Sequence, residues 1–224
     1  MEVIQPTAKH THTIINLHGR DSFASEYSSE FFESESSSGE TLQTAFPSIK
    51  WVFPSAPQLI SRRFETEMSQ WFDMWSTENP IEQPTEEQKA QLRESTTMIS
   101  QLVGEESKIV GFDKSILCGI SQGAATALSA FFQMDERLCA FIGFSTWLPT
   151  VDRPIEFKRT PIFLAHCQDD EVIDIKYGQA LATRLQQVQR SNVEFHEYSD
   201  GGHWINEPKG IDDVIAFLRM VTRL

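Results

Sequence analysis

Gly119-Ile120-Ser121-Gln122-Gly123 follows a short apolar run, Ile116 to Cys118, and precedes an alanine-rich helical pattern from Ala124 to Phe132. It is a G-x-S-x-G turn in the setting that gives the motif meaning: strand, sharp turn, helix. Such a turn strains the serine backbone and holds its hydroxyl clear of the end of a sheet. Glycine is needed at 119 and 123 because a Cβ at either would collide with the neighbouring helix or strand. At ordinary Gly and Ser usage the bare pattern arises by chance in about one chain in fifteen of this size. The flanking strand and helix therefore carry more weight than the motif alone.

Outward from this turn, six candidate strands alternate with helical segments. The strands are Thr13 to His18, Ile49 to Phe53, Ser115 to Gly119, Leu138 to Phe144, Pro161 to Cys167 and Val193 to Tyr198. Most are near-continuous apolar runs, the mark of parallel strands covered on both faces. Between them the spacing predicts helices over Phe23 to Glu33, Thr85 to Val103, Gln122 to Gln133, Ile175 to Gln189 and Ile211 to Leu224. Thr85 with Gln88 three residues on reads as a capping box. The alternation implies an α/β chain with a doubly wound, mostly parallel sheet, helices on both faces, and one domain over residues 1–224.

Two stretches break the rhythm. Ser34 to Thr44 is rich in Ser and Glu and reads as a solvated loop. Pro54 to Pro84 is long for a connection and holds Phe64, Met68, Trp71, Phe72, Met74 and Trp75. A structureless loop of that length is improbable, so a short helix or hairpin over the sheet edge near the active site is expected.

A serine hydroxyl is a weak nucleophile at neutral pH and needs a base, which in turn needs an orienting carboxylate. Sheets with this turn supply them in the chain order Ser, Asp or Glu, His, each just past a strand. His166-Cys167-Gln168-Asp169-Asp170-Glu171-Val172 follows the fifth strand, and Asp200-Gly201-Gly202-His203-Trp204 follows the sixth. Ser121, Asp170 and His203 are the expected catalytic set. For the carboxylate Asp170 is favoured over Asp169, which otherwise reads as a turn residue, and Asp174 reads as an N-cap. His196 lies mid-strand and reads as packed or surface, and His166 as a structural hydrogen-bonding residue. His10 and His12 read as part of a solvated N-terminal arm. Leu17-His18-Gly19-Arg20 follows the first strand, where one half of an oxyanion hole is expected. The backbone amide of Arg20 and that of Gln122 are its two donors.

The formal net charge of −13 opposes nucleic acid as a partner and unassisted docking on anionic membranes. No apolar run is long enough to span a bilayer, and Met1 to His12 has no signal-peptide character. Cys118, Cys139 and Cys167 are odd in number, lie in or beside apolar strands and show no disulfide or metal spacing. A cytoplasmic or nuclear location is expected. No HExxH, P-loop or GxGxxG appears, so no metal or nucleotide cofactor is implied.

Several segments together are more specific than the turn: Leu17 to Arg20, Phe53-Pro54-Ser55-Ala56-Pro57, Trp71-Phe72-Asp73, Ser145-Thr146-Trp147-Leu148-Pro149, His166 to Val172 and Gly202-His203. With these the chain resembles the phospholipase/carboxylesterase family of α/β-hydrolases, which includes the acyl-protein thioesterases. The resemblance covers nearly the whole chain. It implies the α/β-hydrolase fold without a large cap domain, Ser121 as nucleophile, Asp170 as orienter, His203 as base, and Arg20 and Gln122 amides as oxyanion donors. Asp21 stands where the family commonly has glycine, and Cys167 replaces the glycine usual after the histidine. Gln58 to Gln70 differs from the family's lead-in to Trp-Phe-Asp.

The expected activity is hydrolysis of a carboxylic ester or thioester, including S-acylated protein, through an acyl-enzyme. Trp147 and Leu148 are expected to line the substrate mouth, with Trp71, Phe72 and Trp75 opposite. Aromatic residues of this kind are more often core than pocket. Alternatives are a specialised small-metabolite ester or thioester hydrolase, an acyltransferase on the same triad, and a non-catalytic binding scaffold.

Overall fold

The apolar runs become a seven-stranded sheet in the computed structural model, which describes residues 1–74, 76–80, 84–149, 159–189 and 192–224. In chain order the strands are β1 (Glu2–Ile4), β2 (His12–Leu17), β3 (Ile49–Phe53), β4 (Gln58–Ser61), β5 (Thr66–Ser69), β6 (Ser115–Ile120), β7 (Ala140–Phe144), β8 (Ile162–Cys167) and β9 (Val193–Tyr198). The main sheet is ordered β1-β3-β2-β6-β7-β8-β9. Every pair is parallel except β1 with β3. The order reverses between β2 and β6. Such a switch point leaves a crevice beyond the carboxyl ends of the two strands. The segment after β2 starts at His18, and the one after β6 at Ser121.

Neighbouring residues on each strand feed opposite faces. Ile14, Ile116, Ile142 and Phe163 pack with Tyr27 and Phe31 of α1 (Ala24–Glu33) and Val214, Phe217 and Leu218 of α6 (Lys209–Thr222). Ile15, Leu117, Phe141 and Leu164 pack with Ile99 and Val103 of α3 (Glu86–Val110). The same face takes Leu128 and Phe131 of α4 (Ser121–Gln133) and Leu181 and Leu185 of α5 (Ile175–Gln189). Removing each such side chain from water contributes about 1.5–3 kcal/mol, so the two faces together hold the sheet between its helices.

Several expectations are corrected. The N-terminus is no solvated arm: β1 pairs with β3, His12 lies buried in β2, and the His10 ring bonds to the His12 carbonyl and the Thr13 hydroxyl. Ser34 to Thr44 is docked rather than solvated. Glu207 accepts from the Ser34 hydroxyl and the Glu35 amide, and Asp212 from the Ser37 amide and hydroxyl. Thr41 caps a short helix α2 (Leu42–Ala45) by a capping box with Thr44. Serine-rich composition hid this, because the docking partners are acidic residues more than 170 positions away. The helix capped by Thr85 and Gln88 passes Gly104 without a break and stops at Gly111, whose φ is 94°.

The long connection after β3 contains the expected ordered element, a β4–β5 hairpin. It ties to the loop after β2: the Asp21 amide donates to the Ser69 carbonyl at 2.7 Å. Asp21 takes the left-handed conformation at φ 59°, which Asp tolerates better than most residues in a position where glycine is usual.

At Gly123 a Cβ would lie 2.2 Å from the His18 carbonyl oxygen and 2.5 Å from that of Leu17. Both are backbone atoms that cannot step aside. Gly123→Ala is therefore expected to destabilise the protein by about 2–3 kcal/mol, lowering the melting temperature by roughly 5–10 °C. A thermal melt superimposable on the wild type would contradict the packing described.

Candidate active site

Ser121 sits between β6 and α4 with φ 54°. This is an uncommon conformation for a non-glycine residue, and here the packing around the turn holds it. Gly119 is constrained as well, less severely than Gly123, since its Cβ would fall 2.8 Å from the Ala124 nitrogen. Helix α4 thus begins hard against the end of β2, with the Ser121 side chain at its first residue. A Cβ on Gly19 would lie 3.6 Å from that of Ser121, so the loop after β2 reaches the serine. The backbone N–H groups in the first turn of a helix lack intrahelical partners. Gln122 N–H is one of them, and Arg20 and Gln122 line the same cavity as Ser121.

The loop after β2 is held by side chains. His18 Nδ1–H donates to the Gly19 carbonyl at 2.7 Å, while its Nε2 accepts from the Ala56 amide at 3.1 Å. The two bonds require the neutral ring, and burial favours it by lowering its pKa, so His18 serves as a bracket for the loop. The Trp71 indole donates to the His18 carbonyl at 2.8 Å. The Gln122 side chain clamps the other edge, Oε1 accepting from the Trp71 amide and Nε2 donating to the Phe72 carbonyl. Arg20 donates through its guanidinium to the Met74 carbonyl.

Asp170 follows β8 and His203 follows β9. His203 Nδ1 donates to Asp170 Oδ2 at 2.8 Å, which leaves Nε2 as the ring nitrogen available to a hydroxyl. His203 and Ser121 line one cavity of about 240 Å³, although the two are not hydrogen-bonded to each other. Asp170 Oδ1 accepts the amides of Val172 and Ile173, each at 2.9 Å. Burial alone raises the Asp170 pKa, but the N–H edge of His166 and donation from His203 and the Ile173 backbone outweigh it and hold the carboxyl well below the usual carboxylate range. The neighbouring Asp169 acts at the turn: its Oδ1 accepts the Gly202 amide at 2.8 Å. Gly201 (φ 122°) and Gly202 (φ 61°) make the reversal that brings the imidazole back toward the sheet end. Behind it, the Trp204 indole bonds the Ser34 hydroxyl and packs edge-on against Tyr27. Burial, then Asp169 and Asp170, push the Cys167 thiol up to about 11, so it is no competing nucleophile.

The aromatic residues expected to line the substrate mouth do not reach this cavity. Trp71 is fully buried, with its indole and backbone spent on the clamp, and Ser95 donates to its carbonyl. Trp147 is buried beneath Met74 and Ile173, and Leu148 packs against the core under α4. Phe72 opens onto a separate cavity of about 370 Å³ with Asp73 and Met74. Trp75 lies outside the described residues. The cavity is lined instead by Tyr27, Met74, Thr77, Val172, Ile173 and Trp204. Tyr27 belongs to the core-facing side of α1, and the others come from loops, which carry no periodicity of their own. The Gln122 side-chain clamp and the Asp169 anchor were equally invisible.

With this geometry in place, the whole chain can be compared with known proteins. The family model for Phospholipase/Carboxylesterase matches residues 1–222. The chain belongs to this family. Acyl-protein thioesterase 1 of Aspergillus fumigatus is 26% identical over 235 residues, spanning 98% of this chain and 91% of its own. A protein of Arabidopsis thaliana described as "Probable carboxylesterase SOBER1-like" is 29% identical over 168 residues, 72% of this chain and 63% of its own. The crystal structure of Zea mays acyl-protein thioesterase 2 superposes with a TM-score of 0.76 at 25% identity, covering 99% of this chain and 98% of that one. The α/β-hydrolase sheet is thus that of its relatives, and no large cap stands over it among the described residues. Among those residues no helix is long and apolar enough to cross a membrane.

A carboxyl whose pKa is depressed on folding stabilises the fold above its unfolded value, near 4 for Asp, and loses that contribution as pH falls through the folded value. Wild-type protein is therefore expected to lose more unfolding free energy than Asp170→Asn between about pH 6 and about pH 3. Denaturant titrations at the two pH values check this. Equal losses in both proteins would contradict the assigned carboxylate environment.

Proposed function

We propose that this protein is a serine hydrolase of carboxylic esters or thioesters, working through an acyl-enzyme on Ser121. The observation that carries the reading is the 2.8 Å bond from His203 to Asp170, made by a ring that faces the same cavity as Ser121. Asp170 fixes the tautomer with the proton on Nδ1, so Nε2 is left basic. As Ser121 Oγ attacks the carbonyl carbon, Nε2 takes its proton. The developing oxyanion faces the amides of Arg20 and Gln122. Such donors are aimed in advance, and losing one costs about 3 kcal/mol of transition-state stabilisation. His203 then hands the proton to the leaving thiol or alcohol, and water activated by the same Nε2 releases the acid.

The names of the relatives support an S-acylated protein or a simple carboxylic ester as substrate. The site's own dimensions narrow the acyl group. The cavity of about 240 Å³ beside Ser121 has room for a short acyl chain. Met74 lines both this cavity and the larger one of about 370 Å³ beyond it. A long chain would have to displace that side chain. The three free cysteines, two of them buried, suit a reducing compartment, in line with a cytoplasmic setting.

A fluorophosphonate probe is expected to label the wild type at one site and to leave Ser121→Ala unlabelled. Asp170→Asn is expected to keep the fold while losing on the order of 10³–10⁴ in kcat. Labelling that survives Ser121→Ala would overturn the reading. Met74→Ala is expected to raise kcat/KM for dodecanoyl over acetyl thioesters by about tenfold, equivalent to about 1.4 kcal/mol of added transition-state binding. Unchanged chain-length selectivity would remove Met74 as the divider.

A further inference from the structure

Asp170 receives a second imidazole. His166, the penultimate residue of β8, is 1% exposed, and its Nε2 lies 2.8 Å from the Ile173 carbonyl and 3.2 Å from Asp170 Oδ2. Both neighbours are acceptors, so the proton sits on Nε2; the hydrogen bond goes to the Ile173 carbonyl, and Asp170 Oδ2 lies beside the same N–H without an aligned bond of its own. The other ring nitrogen, Nδ1, is buried without a partner among the described residues. The ring edge there abuts α5 at Gly178, where a Cβ would stand 2.4 Å from Nδ1. The sequence places glycine where the imidazole needs the room.

This arrangement does two things that packing alone does not require. The bond to Ile173 joins the start of the 166–173 segment to its end, closing the loop that carries Asp170. Three groups donate to the Asp170 carboxylate, two amides to Oδ1 and His203 to Oδ2, and the positive N–H edge of His166 stands 3.2 Å from that same Oδ2. A positive N–H edge beside the carboxylate stabilises its charge and lowers its pull on a neighbouring proton. His203 therefore faces a carboxylate whose strength is set partly by His166. Other charged groups near the ring are already engaged. Asp174 at the start of α5 is paired with Lys176, and Glu197 on β9 is held by Gln168 and Gln179.

We propose that His166 is a positioning residue for the acid member of the site: it closes the Asp170 loop and limits how strongly Asp170 draws the His203 proton. This rests on the assignment of Asp170 and His203 under the proposed function. It makes His166 neither a base nor a nucleophile. Its loss acts through Asp170 in two ways, by loosening the carboxylate's orientation and by leaving the charge on Oδ2 more available to a protonated His203.

The test compares the pH dependence of kcat/KM for wild type, His166→Leu and His166→Gln on one activated ester, with rates divided by the fluorophosphonate-titrated site concentration so that unfolded protein does not count. His166→Leu is expected to lower kcat about tenfold or more and to move the acid limb upward by about half a unit. His166→Gln places an amide N–H where Nε2 was and is expected to return the limb to within experimental error of wild type. Gly178→Ala, which leaves His166 in place but pushes its ring, is expected to shift the limb in the same direction as His166→Leu. An unmoved acid limb in His166→Leu, or a Gln variant that restores nothing, would overturn the proposal. If wild type took up no probe or Ser121→Ala retained turnover, the hydrolase reading itself would fall. An inactive Ser121→Ala beside an unaltered limb would sink the His166 role alone.

Discussion

The close approach of α4 to the end of β2 is the constraint on which the rest depends. Gly123 lies against the carbonyls of Leu17 and His18 with no room for a methyl group, and Gly119 lies close against Ala124. Two parallel neighbours in the sheet are thereby joined at their carboxyl ends, at the point where strand order reverses. Ser121 is forced into a left-handed backbone there, and the Gly19-Arg20 loop is brought beside it. The position of Ser121 and that of the proposed oxyanion donors are one packing event. A change that loosens one moves the other.

Around that fixed point the remaining groups are supplied by loops, each tied by polar contacts that range from buried to exposed. Asp170 is held by two amides of its own loop, and His203 by Asp170 in front and by Trp204 packed on Tyr27 behind. Asp169 holds the glycine turn, and Gln122 holds the Trp71 segment. Hydrogen bonds of this kind contribute only about 1 kcal/mol each, but a buried group left without its partner costs more than that. Their value here is geometric, since catalytic groups displaced by about 1 Å can lose 10² in rate. The Ser34–Thr44 segment joins this set through its contacts with Glu207, Asp212 and Trp204, so a serine-rich surface loop supports the histidine turn.

What could be read in the sequence was whatever local pattern determines. The parallel strands show as apolar runs because both faces are covered, and the elbow shows because two glycines and a serine must stand at fixed spacing. Ser121, the 166–172 segment and His203 could be placed because each follows such a run. Asp21 in a left-handed conformation was legible too, from the glycine it replaces. The lining of the cavity was not. Met74, Ile173 and Tyr27 meet only after the chain has folded, whereas Trp71 and Trp147, conspicuous in the sequence, end in the core. Aromatic side chains bury large areas and are drawn inward unless something holds them at the surface. β1 and the docked serine loop were missed for the same reason: a three-residue edge strand and a polar loop carry no periodicity of their own.

The most direct test of the account is a rapid-mixing experiment with a p-nitrophenyl ester, followed by quenching and mass spectrometry of the digested protein. The account predicts a stoichiometric burst of nitrophenol and an acyl group on the peptide holding Ser121. Steady release with no burst, together with turnover that persists in Ser121→Ala, would contradict it.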